Sequence, residues 1–340
     1  MNPTQHPEFF SDWGQLTMSP EPARRIPTLA KGPDAALIMR AAQRLYPELS
    51  LSSIKSRLRF MLAWWAHRGP LDAFCRKPEN ARLMCELWTR PETLGFLVWP
   101  YIHAGWDAIK RFEALSQHKQ SMYSDMSGAA VPPLNSLIVA DLSETSPGLK
   151  LVIDRAPWCL REGSLVFSQF LHDERMMSLA FSFGLQDGER VVYVGSVQGS
   201  NVDSALAKYR EIAKDLQGMR SRDFLIKAFQ LFTFHMGVKR VLCISEASRH
   251  HRHPYFGQSK AESLHLNYDE IWQEHAGVAT DDGFFQLGSL PVIRPMEDIA
   301  AKNRPLYRRR YALMEKLSAD IASRFGSAVE VAAPELQSRA

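Results

Sequence analysis

Phe181-Ser182-Phe183-Gly184-Leu185-Gln186-Asp187-Gly188-Glu189-Arg190-Val191-Val192-Tyr193-Val194 decides the fold class. Met177, Leu179, Phe181, Phe183 and Leu185 alternate with small or polar residues, so one face of an extended strand is apolar and must be covered. Asp187-Gly188 supplies the positive φ values of a tight hairpin turn, and Arg190 to Val194 is the return strand. A glycine-bearing loop, Gly195 to Asn201, is expected next.

From Asp203 the apolar spacing lengthens to three and four. Leu206, Tyr209, Ala213 and Leu216 share one side of a helix that Asp203 can cap and Gly218 can end. Ser221 is placed to cap a second helix, whose stripe of Leu225, Ala228, Phe229, Phe232 and Met236 is joined by apolar residues on other faces. Such a helix is buried on most sides, and Gly237 stops it before the apolar strand Val241-Leu242-Cys243-Ile244. The chain then turns polar from Ser245 to Tyr255, where the carboxyl end of an interior strand makes a ligand site expected.

Outward from this centre, Ser136 to Leu142, Leu151 to Ile153 and Leu165 to Leu171 read as further strands. Tyr268, Ile271 and Trp272 suggest an amphipathic helix. Asp282-Gly283 precedes a strand over Phe284 to Leu287, and the last helix runs from Leu306 to Arg324. The fold class is α+β: an N-terminal helical region, then a mixed, mainly antiparallel sheet with packed helices. The division is residues 1–33 as a flexible start, 34–130 as the helical region, 131–331 as the α/β core and 332–340 as a flexible tail. Asp34 caps the first helix, and Pro47, Pro70, Pro78, Pro91 and Pro100 should end or offset helices. Trp64, Trp65, Trp88, Trp99 and Trp106 are expected as packing anchors, and His118 to Leu134 as a linker.

The 340 residues carry a formal charge of +4, and 45% are hydrophobic, a composition of globular proteins that excludes disorder throughout. No concentrated basic run points to specific nucleic-acid binding, and no apolar run is long enough to span a membrane. A signal core is absent at the N-terminus, so a cytoplasmic location is expected, with peripheral association at the inner membrane open. Cys75, Cys85, Cys159 and Cys243 are scattered without a CxxC pair, which favours reduced buried thiols and no metal site.

Several local texts resemble the VirK/YbjX family, bacterial proteins built around a domain of unknown function. They are Tyr193-Val194-Gly195-Ser196-Val197-Gln198-Gly199, Gly237-Val238-Lys239-Arg240-Val241, Asn267-Tyr268-Asp269-Glu270-Ile271-Trp272, Asp282-Gly283-Phe284-Phe285 and Tyr307-Arg308-Arg309-Arg310-Tyr311. Their order fits from about Trp99 to Leu313. The resemblance implies a role in virulence, in export or surface localisation of envelope proteins, or in resistance to cationic antimicrobial peptides. It carries no catalytic residue.

The order hairpin, glycine-bearing turn, helix and buried strand also resembles the centre of a Gcn5-related acyltransferase, in which amides at a helix start hold the pyrophosphate of an acyl donor. That resemblance implies acyl-CoA or acyl-carrier protein as donor, with Gln198, Gly199, Gly218, Arg220, Ser221 and Arg222 as its binding residues. Arg222 stands at the second small position of the phosphate-loop pattern, and a helix is inserted before the loop, so a plain helix cap accounts for the same residues. Glu246 with His250, His251 or His253 is the candidate acid–base pair, against a solvated basic loop as the alternative. Arg249, Arg252, Tyr268 and Trp272 are the candidate substrate contacts; the two aromatic residues also suit a core seal. Two functions stay open: an acyltransferase acting on an envelope component or small molecule, and a non-catalytic factor for envelope proteins.

Overall fold

The computed structural model describes residues 32–124, 136–200, 205–257 and 267–325. It divides into two compact units, Met1–Asp125 with His250–Leu264, and Met126–Arg249 with His265–Ala340.

The first unit is helical: α1 (Ala35–Leu45), α2 (Leu51–Cys75), α3 (Ala81–Thr89) and α4 (Ala108–Ser124). Asp34 caps α1 as expected, its Oδ1 accepting from the Leu37 amide at 2.8 Å. Leu37, Ile38, Ala41, Ala42 and Leu45 bury the face that their spacing defines. Pro70 does not end a helix; α2 runs through it for 25 residues. A proline inside a helix costs a single amide donor and crowds one turn, and α2 resumes beyond it because Leu71, Phe74 and Cys75 are buried. His118 to Ser124 belong to α4 rather than to a linker, and 125–135 lie outside the described residues. None of the five tryptophans of this region is fully buried, and Trp65 is 73% exposed.

The second unit carries β1 (Leu137–Asp141), β2 (Leu149–Asp154), β3 (Leu165–Leu171), β4 (Glu174–Gln186), β5 (Glu189–Gly199), α5 (Ala205–Asp215), α6 (Ser221–His235), β6 (Arg240–Ile244), α7 (Tyr268–Glu274), β7 (Val278–Ala279), β8 (Phe284–Leu287) and α8 (Arg304–Phe325). These strands form an eight-stranded sheet in the order β1-β2-β3-β4-β5-β6-β8-β7, antiparallel except where β6 runs parallel to β5. The α+β class is therefore observed. The hairpin turns at Asp187-Gly188, both with positive φ. Phe229 and Phe232 of α6 pack on Phe167 and Phe181 of the sheet, ring centroids 4.9–6.3 Å apart.

Three expectations are corrected. The stretch from Gly195 to Gly199 is strand, not loop, because β4 pairs with it through Gly199. α5 buries Ala205 and Ile212, while Leu206 of the expected stripe is exposed; Asp203, its expected cap, lies outside the described residues. Ser221 is the first residue of α6 rather than its cap, Arg220 holds the cap position, and no side chain among the described residues caps the helix.

The sheet is irregular at one point. The β4–β5 register breaks so that Ser196 faces Ala180 and Val194 faces Phe181, leaving Gly195 as the extra residue of a bulge. Any side chain there would collide with the Glu162 carbonyl, since a Cβ would sit 1.9 Å from that oxygen. The parallel ladder with β6 ends at the same point, at Val194 opposite Cys243.

Candidate functional site

Beyond the bulge, a polar cluster sits in the second unit. Glu162 is 4% exposed, and its Oε2 accepts from Ser196 Oγ at 2.7 Å and from Gln198 Nε2. Burial pushes the carboxyl up to about 7, against hydrogen bonds from Ser196, Cys159 and Gln198 and the charge of Arg249, which pull it down. A carboxyl poised near neutrality can exchange a proton at physiological pH. The Arg249 guanidinium lies 3.9 Å above the Tyr268 ring and donates to Glu246 Oε2 at 3.1 Å. Glu246 Oε2 also accepts from the Tyr268 amide at 3.4 Å, and Asp269 Oδ1 takes the Glu246 amide at 2.7 Å.

α7 closes the gap that the bulge opens. Tyr268 Oη bonds both the amide and the carbonyl of Val197, at 3.1 and 3.2 Å, and Trp272 Nε1 donates to the Ile244 carbonyl at 2.8 Å. Both side chains are buried, so the two ends of the parted strands are satisfied by the protein itself.

A second feature of the same unit is open. A cleft of about 470 Å³ is lined by the α5–α6 turn, by α6, by the end of α7 and by α8. Gln217 and Gly218 make the turn with consecutive positive φ values of 58° and 75°, which ends α5 and aims the start of α6 at the cleft. Without a side-chain cap, the first-turn amides of α6 project from its end. Ser221 Oγ is buried there with no hydrogen-bond partner among the described residues.

Four cations, Arg220, Lys227, Arg294 and Arg310, face two carboxylates, Asp223 and Glu274, around this cleft. Arg220 spans both carboxylates at 2.7 and 3.1 Å, and Arg222 takes Glu274 at 2.5 Å. Burial pushes Asp223 up, but the His275 imidazole and Arg220 outweigh it and leave the group at about 2. Lys227, Arg294 and Arg310 form no salt bridge among the described residues, although the Asp223 charge still acts on Lys227. Arg310 Nε donates to the Gln217 carbonyl at 2.7 Å, which fixes its guanidinium beside Gly218. Burial pulls the Lys227 ammonium below its ordinary pKa. Tyr307 and Tyr311, edge to face at 5.9 Å, give the cleft an aromatic wall.

The sequence candidates thus separate. Gly218 and Arg220 line the cleft, with Ser221 and Arg222 at the helix start beside it. Gln198, Glu246, Arg249 and Tyr268 meet in the polar cluster, and Trp272 seals it. Gly199 ends β5 under the Tyr209 hydroxyl, 2.8 Å from where a Cβ would lie. His250, His251 and Arg252 form a short 3-10 turn in the first unit, the two imidazoles 3.7 Å apart and flanked by Phe256. Arg252 is exposed. In that unit Arg111 Nη2 meets His253 Nε2 at 3.2 Å. Sequence reasoning does not single out Glu162 or Lys227 as site residues, and it reads the basic cluster Arg304, Arg308, Arg309 and Arg310 as a solvated helix face ahead of an anion-binding surface.

A family model described as a protein of unknown function, DUF535, matches residues 50–323. The chain belongs to the DUF535 family. This bears out the resemblance to the VirK/YbjX group. An uncharacterized protein of Haemophilus influenzae is 28% identical over 150 residues, 44% of this chain and 48% of the relative. The Escherichia coli uncharacterized protein YbjX is 21% identical over 150 residues, 44% and 45%. A second Haemophilus influenzae protein is 21% identical over 226 residues, 66% and 74%. The chain spans about half the length of the first two relatives. No solved structure matches it. The matched span includes both the polar cluster and the cleft.

Proposed function

We propose that this family member is an acyltransferase-like enzyme that holds the phosphates of an acyl donor, acyl-CoA or acyl-carrier protein, in the α6 cleft and passes the acyl group to an envelope component or small molecule. The observation that carries this reading is the cleft itself: Lys227, Arg294 and Arg310, in no salt bridge among the described residues, gathered at an uncapped helix start. The succession β4–β5 hairpin, α5, α6 and parallel β6 supports it, with α5 inserted into the order hairpin, helix and parallel strand. Glu162 is the proton acceptor in this reading, titrating near neutrality at the bulge where β5 leaves β6. Glu246, His250 and His251 keep their proposed acid–base roles, which retained cellular activity in Glu246→Ala and His250→Ala would remove.

Isothermal titration of the full chain with acyl-CoA and with acyl-carrier protein tests the proposal. Saturable binding to one of them is expected. A folded protein that binds neither overturns it.

A non-catalytic factor assisting export or surface localisation of envelope proteins is the second reading, favoured by an exposed apolar face on α2. It needs a surface and no turnover, and affinity capture from envelope fractions should recover one defined partner.

A further inference from the structure

α2 presents two faces, and the unusual one is outside. Over its first twenty residues the helix buries only Phe60. On the opposite side Leu51, Ile54, Leu58, Met61, Leu62 and Trp65 are 37–79% exposed. At 100° per residue these six fall within an arc of about 100° and run for about 21 Å along the axis. Spacings of three and four ordinarily mark a core face. Among the described residues this face meets no core.

The charges on either side have a consistent sign. Lys55 and Arg59 follow one edge of the arc, Arg57 and Arg68 the other, and no carboxylate occurs from Leu51 to Leu71. None of the four is ion-paired among the described residues. Arg57 donates to the Tyr46 carbonyl through Nε at 2.9 Å, and Arg68 lies over the Trp64 ring at 5.6 Å. Long basic side chains beside an apolar stripe can extend their heads sideways while the stripe is covered.

We infer that the outer face of α2 docks on an anionic membrane surface, with Leu58, Leu62 and Trp65 entering the headgroup–acyl boundary and Lys55, Arg59 and Arg68 taking lipid phosphates. The helix lies in the plane of the interface, since none of the described helices is long and apolar enough to cross a bilayer. Charge selects this occupant over a second copy of the chain. Two-fold pairing through the stripe would bring its basic borders against their own copies with no acid on that stretch of α2 to offset them. Anionic lipid complements both borders at once. The inference stands apart from the acyltransferase reading, because it uses no residue of the cleft or of the polar cluster.

Co-sedimentation of the full chain with vesicles of phosphatidylethanolamine and phosphatidylglycerol, against pure phosphatidylcholine, reads it out. Binding to the anionic vesicles is expected, weakened by salt. The double change Leu58→Asp, Leu62→Asp should reduce it about tenfold or more, as should Lys55→Gln with Arg59→Gln, with melting temperature unchanged because all four residues are exposed. The inference is overturned by absence of binding to the anionic vesicles, by equal binding of both variants, or by binding that appears only after removal of residues 1–31. It is equally overturned if the native chain is an oligomer that Leu58→Asp dissociates without vesicles.

Discussion

The polar cluster around Glu162 and the cleft at the start of α6 belong to one unit and are both rich in charge, yet they are built in opposite ways. In the cluster, Ser196, Gln198, Arg249, Glu246 and Tyr268 hold one another or the backbone, and the carboxyl at its centre is shut from water. In the cleft, two carboxylates are taken up by Arg220 and Arg222 while Lys227, Arg294 and Arg310 form no salt bridge among the described residues. A closed network spends its hydrogen bonds on the fold, and what it holds for chemistry is the raised carboxyl of Glu162. An open one has kept charge for something outside it.

Removing charge from the cleft should have the largest effect. Lys227→Gln with Arg310→Gln is expected to weaken donor binding in isothermal titration by about a hundredfold or more, because each charge-assisted contact carries roughly 1.5–3 kcal/mol. Unchanged donor affinity in this variant would dissolve the contrast.

Glu162→Ala comes next and should act on stability. It leaves the buried Ser196 hydroxyl without its acceptor and strips one partner from the exposed Gln198, at a cost of about 1–3 kcal/mol in chemical denaturation. The conservative Glu162→Gln instead tests the titration. Burial raises this carboxyl from 4.5 to about 7, so the native chain binds the extra proton. Its contribution to stability is fully present below pH about 4.5, falls as pH rises, and is lost above about 7, a total on the order of 3 kcal/mol. The variant should flatten stability over that window; an unaltered pH profile would assign the titration elsewhere.

Tyr268→Phe is a smaller change. It strips the hydroxyl from Val197's amide and carbonyl and should cost about 1–3 kcal/mol by thermal or chemical denaturation. A neutral result would mean that water replaces the hydroxyl and that the gap beside β5 is open. Smallest of all is Arg220→Gln, whose 64% exposed side chain forms surface ion pairs with Asp223 and Glu274; stability should move by no more than about 1 kcal/mol.

The reach of the sequence differs between these regions for physical reasons. Asp187-Gly188, the alternation before it and the apolar run Val241–Ile244 make the hairpin and the parallel strand legible, because period and turn chemistry are local. The strand from Gly195 to Gly199 is not legible, since its glycines read as loop while the bulge that needs Gly195 arises from the Glu162 backbone packing against it. At the cleft, a loop pattern points to Gly218 and Arg220, whereas Lys227 looks like an ordinary helix residue until α8 places Arg310 beside Gly218. The Pro70 expectation fails for a similar reason: the penalty is local, but Leu71, Phe74 and Cys75 are buried beyond it.

The α+β class, the hairpin, most helices and the family are set by sequence alone, through periodicities and turn residues that act within a few positions. Which charges stay paired is not. That depends on which distant side chains share a volume, so only the tertiary structure shows that Glu162 is enclosed while Lys227 and Arg310 face an open cleft. The same holds for the apolar stripe of α2, whose spacing predicts burial and whose outer face the fold leaves exposed.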